Sequence, residues 1–210
     1  MRSWTVHPER PDEAVLAEVG AVIRGGGIVI FPTDTLYGLA VDPANEEAVE
    51  KVFAVKQRAG REALPLIACD TGAVERLAAL TPLARRLVEA FWPGPLTLIL
   101  EDAGRVARTV HGGTGGLAIR VPASVVARGL ARAAGGAVTA TSANRSGLSA
   151  AASAGEAWAA LAPGIDGVLD GGRTPGGQPS TIVDARGEEP VLVRAGIISY
   201  ERVIEAMERR

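Results

Sequence analysis

Two hydrophobic strands of this chain run directly into loops of small polar residues. The first segment, GGGIVIFPTDTLYGL (25–39), leads to a helix ending in Lys56-Gln57-Arg58, and the second is AVTATSANRSG (137–147). Neither has the glycine order of a P-loop or of GxGxxG, so neither is a common nucleotide fingerprint. Together they offer a Lys and an Arg separated by one residue, with hydroxyl and amide donors at strand ends. That set suits a polyanion and an amino acid. A third segment, GQPSTIVD, brings Ser180 into a strand, and Arg194 closes the strand after it. Loops of this composition present hydroxyl, amide and backbone N–H groups to phosphate oxygens. Three of them with convergent cations imply a phosphate-binding cleft, while spacing alone does not name the reaction.

Each of these residues also has a plainer reading. Of 22 basic residues only Lys51 and Lys56 are lysines, so a chain that otherwise uses Arg sets a compact point charge beside Arg58. Lys56 equally suits the C-terminal end of a helix, where the dipole favours a cation. Thr33, Asp34, Thr35 and Tyr37 follow a strand that Pro32 helps to end, either as an Asx or Ser/Thr turn or as a hydroxyl cluster for a small polar substrate. In LAIRV, alternation puts Arg120 on the face of Ala118, away from the bulky apolar residues. In VLVR, Arg194 points away from both valines. Each arginine reads as a cavity wall or as half of a surface ion pair.

Covalent catalysis finds little support. A single cysteine, Cys69 in LPLIAC, excludes an internal disulfide and a cysteine zinc site and reads as a small buried hydrophobe. His7 and His111 are too few and too far apart for a histidine metal cluster, and nothing flanking His111 supports a Ser-His-Asp set. No protein metal site is therefore expected. A formal net charge of −2 and the absence of long basic runs argue against a broad nucleic-acid surface. No apolar run reaches the roughly 18 residues of a membrane span, and no signal peptide opens the chain. A soluble, cytoplasmic protein is expected.

Positioning these loops requires an α/β frame. Strands are expected at 28–31, 64–69, 96–100, 117–121, 137–141, 168–169, 181–184 and 191–194. Helices are expected at 12–24, 46–56, 73–80, 82–91, 124–134, 155–161 and 200–208. Asn45 before Glu46-Glu47 and Thr81-Pro82 read as helix starts, and Gly25-Gly26 as a helix stop. At 210 residues the chain is expected to be one α/β domain, residues 1–210, built as an open twisted mixed sheet flanked by helices.

With those residues in view, the chain resembles a known family. FPTDTLYGL, KQR, WPGPLTLIL, AIRVP, TSANRSG and PSTIVD…LVRAGII follow the order and spacing of the YrdC/TsaC family, the threonylcarbamoyl-AMP synthases. The resemblance runs from about residue 14 to residue 205, and its most specific part is the tetrad Lys56, Arg58, Ser142 and Asn144. It implies a YrdC-like fold with a large cationic cavity. It also implies a reaction joining L-threonine, bicarbonate and ATP into threonylcarbamoyl-AMP and pyrophosphate, for the threonylcarbamoyl modification of adenosine 37 in tRNA. By this resemblance the tetrad is catalytic and, with Arg194, binds ATP. Thr33, Tyr37, Arg120, Ala140 and Ser180 would hold threonine, with Arg120 on its carboxylate. Mg²⁺ would come with ATP, without dedicated protein ligands. Length places the chain with the short bacterial form, which relies on separate tRNA-modification proteins for transfer.

The pattern also departs from the family. Ala59 stands where Pro is usual, Glu62 where Lys or Asn is frequent, and Ser149-Ala150-Ala151-Ala152 where Pro-Ser-Pro-Thr is common. The alternative from a different class is an RNA-binding module that uses the same cavity without catalysis. RNA affinity falling steeply with salt would favour it.

Overall fold

The computed structural model describes residues 2–57, 62–145, 147 and 151–208. In chain order the elements are β1 (Arg2–Thr5), α1 (Glu13–Arg24), β2 (Val29–Pro32), β3 (Tyr37–Ala40), α2 (Glu46–Lys56), β4 (Leu66–Ala68), α3 (Thr71–Leu77), β5 (Ala78–Ala79), α4 (Pro82–Phe91) and β6 (Leu96–Asp102). They continue with β7 (Gly116–Arg120), α5 (Val125–Ala133), β8 (Ala137–Thr139), β9 (Thr141–Ser142), α6 (Ala154–Leu161), β10 (Gly167–Asp170), β11 (Thr181–Asp184), β12 (Val191–Arg194) and α7 (Tyr200–Glu208). Among the described residues no helix is long and apolar enough to cross a membrane.

Local chemistry sets most helix starts. Asp12, Asn45, Asp70, Thr81, Ser124 and Ser153 each accept a backbone N–H in the first turn of the helix that follows. The helix expected at 73–80 begins two residues earlier because Asp70 caps it. It stops at Leu77 because Ala78 and Ala79 extend to pair with Asp102 and Glu101.

The mixed α/β class holds, with its strands divided between two open sheets. One has the order β1-β10-β2-β3-β9; the other runs β12-β11-β6-β7-β4-β8, with β5 also on β6. Two expectations change as a result. PTDTLYGL is a hairpin: Thr33 to Leu36 form the turn and Tyr37–Ala40 pairs back on β2, with Pro32 opposite Tyr37. Pro32 costs no ladder bond to β10, whose pairing with β2 is confined to Val29 and Ile30. The single strand expected at 137–141 divides at Ala140. Residues before it pair with β4 in the larger sheet, and Thr141 and Ser142 pair with β3 in the smaller one. The chain thus passes from one sheet to the other at Ala140, whose N–H donates to the Pro65 carbonyl at 2.7 Å.

The core draws on both sheets. Val29, Ile30 and Phe31, and on the other sheet Leu96, Leu98 and Leu100, are fully buried. The edge strand β12 departs from this pattern, since Val191, Leu192 and Val193 are exposed.

Candidate active site

A cavity of about 940 Å³ opens where the two sheets meet, lined by the β2–β3 hairpin, the end of α2, residues 140–142, Asn144 and Gly147, one face of β6, β7 and β11, and the end of β12. Strand register explains which side chains share that face, because cross-strand partners point the same way. Ile182 pairs with both Thr97 and Arg194, and Ile99 pairs with Ala118. Arg120 lies two residues beyond Ala118 on the same side, as its parity predicts. Leu96, Leu98 and Ile119 face the core instead.

Lys56 is 97% removed from solvent (3% exposed) and donates through Nζ to the main-chain carbonyls of Ser142 and, at 2.9 Å, of Asn144. Three members of the tetrad, Lys56, Ser142 and Asn144, therefore meet on one wall. Asn144 is buried, and its amide donates to the Arg145 carbonyl at 3.0 Å. Arg58 lies outside the described residues, as do Ala59, Ser149 and Ala150. Glu62 is exposed and also lines the cavity.

Thr33, Tyr37, Arg120, Ala140 and Ser180 all line the same cavity. Thr33 caps its own turn: its hydroxyl accepts from the backbone of Thr35 and Leu36 and donates to the Leu36 carbonyl at 2.7 Å. Tyr37 is committed elsewhere. Its hydroxyl donates to the Gly172 carbonyl at 2.6 Å and to Asp170 at 3.2 Å, and accepts from the Gly171 N–H. Burial, reinforced by the Asp170 charge against the opposing Gly171 hydrogen bond, pushes this phenol up to about 12. Tyr37 therefore shapes the wall and pins the hairpin to the end of β10, with its hydroxyl engaged inside the protein.

Arg194 donates to the Ser180 carbonyl at 2.8 Å and to the Ser180 hydroxyl at 3.1 Å. That hydroxyl also shares a 2.9 Å hydrogen bond with Thr97. Partial burial, joined by the like charge of Arg120, lowers the Arg194 pKa from its ordinary value. The two guanidinium groups repel each other across one cavity, a repulsion that a bound anion would relieve. Among the described lining residues Lys56, Arg120 and Arg194 are basic and Glu62 is acidic.

Some site residues escaped the sequence reading. Thr97, Ile99 and Ile182 line the cavity and were legible in the alternation of LTLIL and TIVD. Asp34, read above as part of a turn or of a polar cluster, forms an ion pair with Arg120; no local pattern links those two positions.

Comparison with known proteins agrees with this architecture. A family model named Sua5/YciO/YrdC, described as "Telomere recombination", matches residues 21–196. The chain is similar to a threonylcarbamoyl-AMP synthase of Pyrococcus abyssi, 35% identical over 196 residues that cover 93% of this chain and 58% of that protein. It is also similar to a threonylcarbamoyl-AMP synthase of Halorhodospira halophila, 38% identical over 167 residues that cover 79% of this chain and 87% of that one. Among solved structures, P. abyssi Sua5 complexed with L-threonine superimposes with a TM-score of 0.92 at 34% identity, covering 99% of this chain and 61% of that one. The chain thus spans somewhat over half the length of some relatives and most of others. On the extent of the family match and on these identities, this chain belongs to the Sua5/YciO/YrdC family.

Proposed function

We propose that the chain is an L-threonylcarbamoyladenylate synthase, joining L-threonine, bicarbonate and ATP into threonylcarbamoyl-AMP and pyrophosphate. The observation that carries this reading is one cavity lined both by Lys56, Ser142 and Asn144 and by Thr33, Arg120 and Ser180, with Arg194 held on Ser180 and repelled by Arg120. Its volume of about 940 Å³ lies at the upper end of the range for ligand sites and leaves room for a nucleotide beside an amino acid. Relatives carrying the synthase name, and the threonine complex of the P. abyssi protein, support the same reading.

The chemistry asks little covalent work of the protein. The threonine nitrogen adds to the carbon of bicarbonate, water leaves, and a carbamate forms. A carbamate oxygen then attacks the α-phosphorus of ATP, and the bond to the bridging oxygen breaks to release pyrophosphate. What the chain supplies is position and charge. Arg120 offers a planar fork to the threonine carboxylate, and Lys56 with Arg58 and Arg194 offsets phosphate charge. Ser142 and Asn144 contribute a turn whose shape Lys56 holds.

Mg²⁺ would accompany ATP. No cluster of three or more His, Cys, Asp or Glu side chains gathers among the described residues, and Glu62 is the one acid on the described lining. That donor set fits an ion carried by phosphate oxygens and water, which neutralises charge on the triphosphate when bound. The product would pass to separate proteins that act on tRNA.

The test is release of pyrophosphate from ATP with formation of threonylcarbamoyl-AMP, followed by mass spectrometry. Turnover should require both bicarbonate and L-threonine. Equal turnover with L-serine, or release independent of threonine, rules the assignment out.

A further inference from the structure

One strong side-chain pairing at the cavity has no part in the scheme above. Asp34 sits in the β2–β3 turn of the smaller sheet, and Arg120 ends β7 in the larger one. Arg120 Nη1 donates to Asp34 Oδ2 at 2.9 Å, and Nη2 lies 2.9 Å from Oδ1. The second contact is ionic and off the N–H line, since Oδ1 accepts no hydrogen bond. Asp34 is held from behind as well, because the Ala123 N–H donates to Oδ2 at 3.3 Å. Both side chains are mostly buried, at 10% and 15% exposure.

A guanidinium has two usable edges. Asp34 takes the end-on edge formed by the two η nitrogens. Among the described residues nothing accepts from Arg120 Nε, which borders the other edge, and Arg120 lines the cavity while Asp34 does not. The carboxylate therefore stands behind the arginine and fixes the plane of its fork.

We propose that Asp34 is a positioning residue: it clamps the outer edge of the Arg120 guanidinium so that the inner, Nε edge receives the carboxylate of the amino-acid substrate. This rests on the reading of the cavity as a threonine site. A planar fork locked by a buried partner loses little freedom when a second carboxylate arrives, which lowers the cost of binding. Asp34 also offsets the Arg120 charge, which limits its repulsion with Arg194.

Calorimetry of the full chain with L-threonine tests the proposal. In Asp34→Asn the dissociation constant for threonine should rise about tenfold or more, as expected when a partner that orients a ligand-binding group is lost. Affinity for a non-hydrolysable ATP analogue should stay within about twofold, since Asp34 reaches Arg194 only indirectly, through the charge of Arg120. In the steady state the loss should appear in KM for threonine, with kcat nearly kept. A Glu75→Gln control, which removes a surface ion pair with Arg85, should leave threonine affinity unchanged.

Asp34→Asn that lowers thermal stability yet binds threonine as the wild type does would reduce Asp34 to a structural tie and overturn the proposal. Tighter threonine binding would overturn it too, by showing that Asp34 competes for the fork. A wild-type protein that fails to bind threonine removes this proposal together with the functional reading beneath it. Where Asp34→Asn fails to fold, ¹⁵N-arginine spectra of the wild type decide. The Arg120 Nε–H resonance, assigned with Arg120→Lys, should shift on addition of L-threonine. A resonance that stays in place overturns the proposal.

Discussion

Lys56 and Ser142, 86 residues apart in sequence, meet through a hydrogen bond from the ammonium to the main-chain carbonyl, and the same ammonium reaches Asn144 at 2.9 Å. A cation at the end of α2 thereby holds the shape of a turn delivered by β9. Structural and ligand-binding work fall on one side chain, so its removal should show both.

Lys56→Ala should lower unfolding free energy by about 1–3 kcal/mol, because one buried and one part-buried carbonyl lose a charged donor. Nucleotide-analogue affinity should fall far more than threonine affinity. Lys56→Arg should not restore either, since a planar fork does not occupy the place of a compact ammonium. Denaturant melts and calorimetry with each ligand separately measure both effects. A larger loss for threonine would show the two ligands to be placed the wrong way round.

Gln57, next to Lys56, is the C-cap of α2 and holds φ at 50°, in the left-handed region. A side chain there is strained relative to glycine, by about 1 kcal/mol. Gln57→Gly should therefore stabilise the protein slightly in urea melts. Lost stability instead would show that the Gln57 side chain makes contacts worth more than the strain.

Tyr37 gives a pH prediction whose sign follows from its raised pKa. The unfolded phenol ionises near 10 and the folded one near 12, so its contribution is fully present below pH 10 and is lost as pH rises toward 12. In the wild type, stability should decline across that window more than in Tyr37→Phe. The variant should itself be less stable at neutral pH by about 1–3 kcal/mol, because Gly172 and Gly171 lose a buried partner. Parallel denaturant melts from pH 8 to 12 provide the measurement, and parallel slopes would count against the assignment.

Gly196 packs against the Pro179-Ser180-Thr181 backbone that leads into β11. A Cβ there would lie 2.3 Å from the Pro179 carbonyl oxygen and 2.5 Å from backbone atoms of Ser180 and Thr181. Gly196→Ala should cost about 1–3 kcal/mol by forcing the two segments apart. It should also weaken nucleotide binding, because the Arg194 contacts to Ser180 span the same gap. A variant as stable as wild type would mean that the segments separate without strain.

The sequence by itself determined what depends on near neighbours. Helix starts at Asn45 and Thr81 follow from side chains that bond their own first turn, and the direction of Arg120 follows from strand parity. The order of FPTDTLYGL, KQR and TSANRSG was enough to assign the family, and the structure then gathered Lys56, Ser142 and Asn144 as that order implied. Other features depended on which segments became neighbours. YGLA reads as a loop until β2 lies beside it, and RSWT becomes β1 only by pairing with β10. The break at Ala140 arises because two different sheets claim the residues on either side. The Asp34–Arg120 pair and the Thr97–Ser180–Arg194 chain of hydrogen bonds join positions far apart in the chain, where no periodicity operates. Such contacts form only when burial removes water as the competing partner, and only the folded chain decides which groups are buried together.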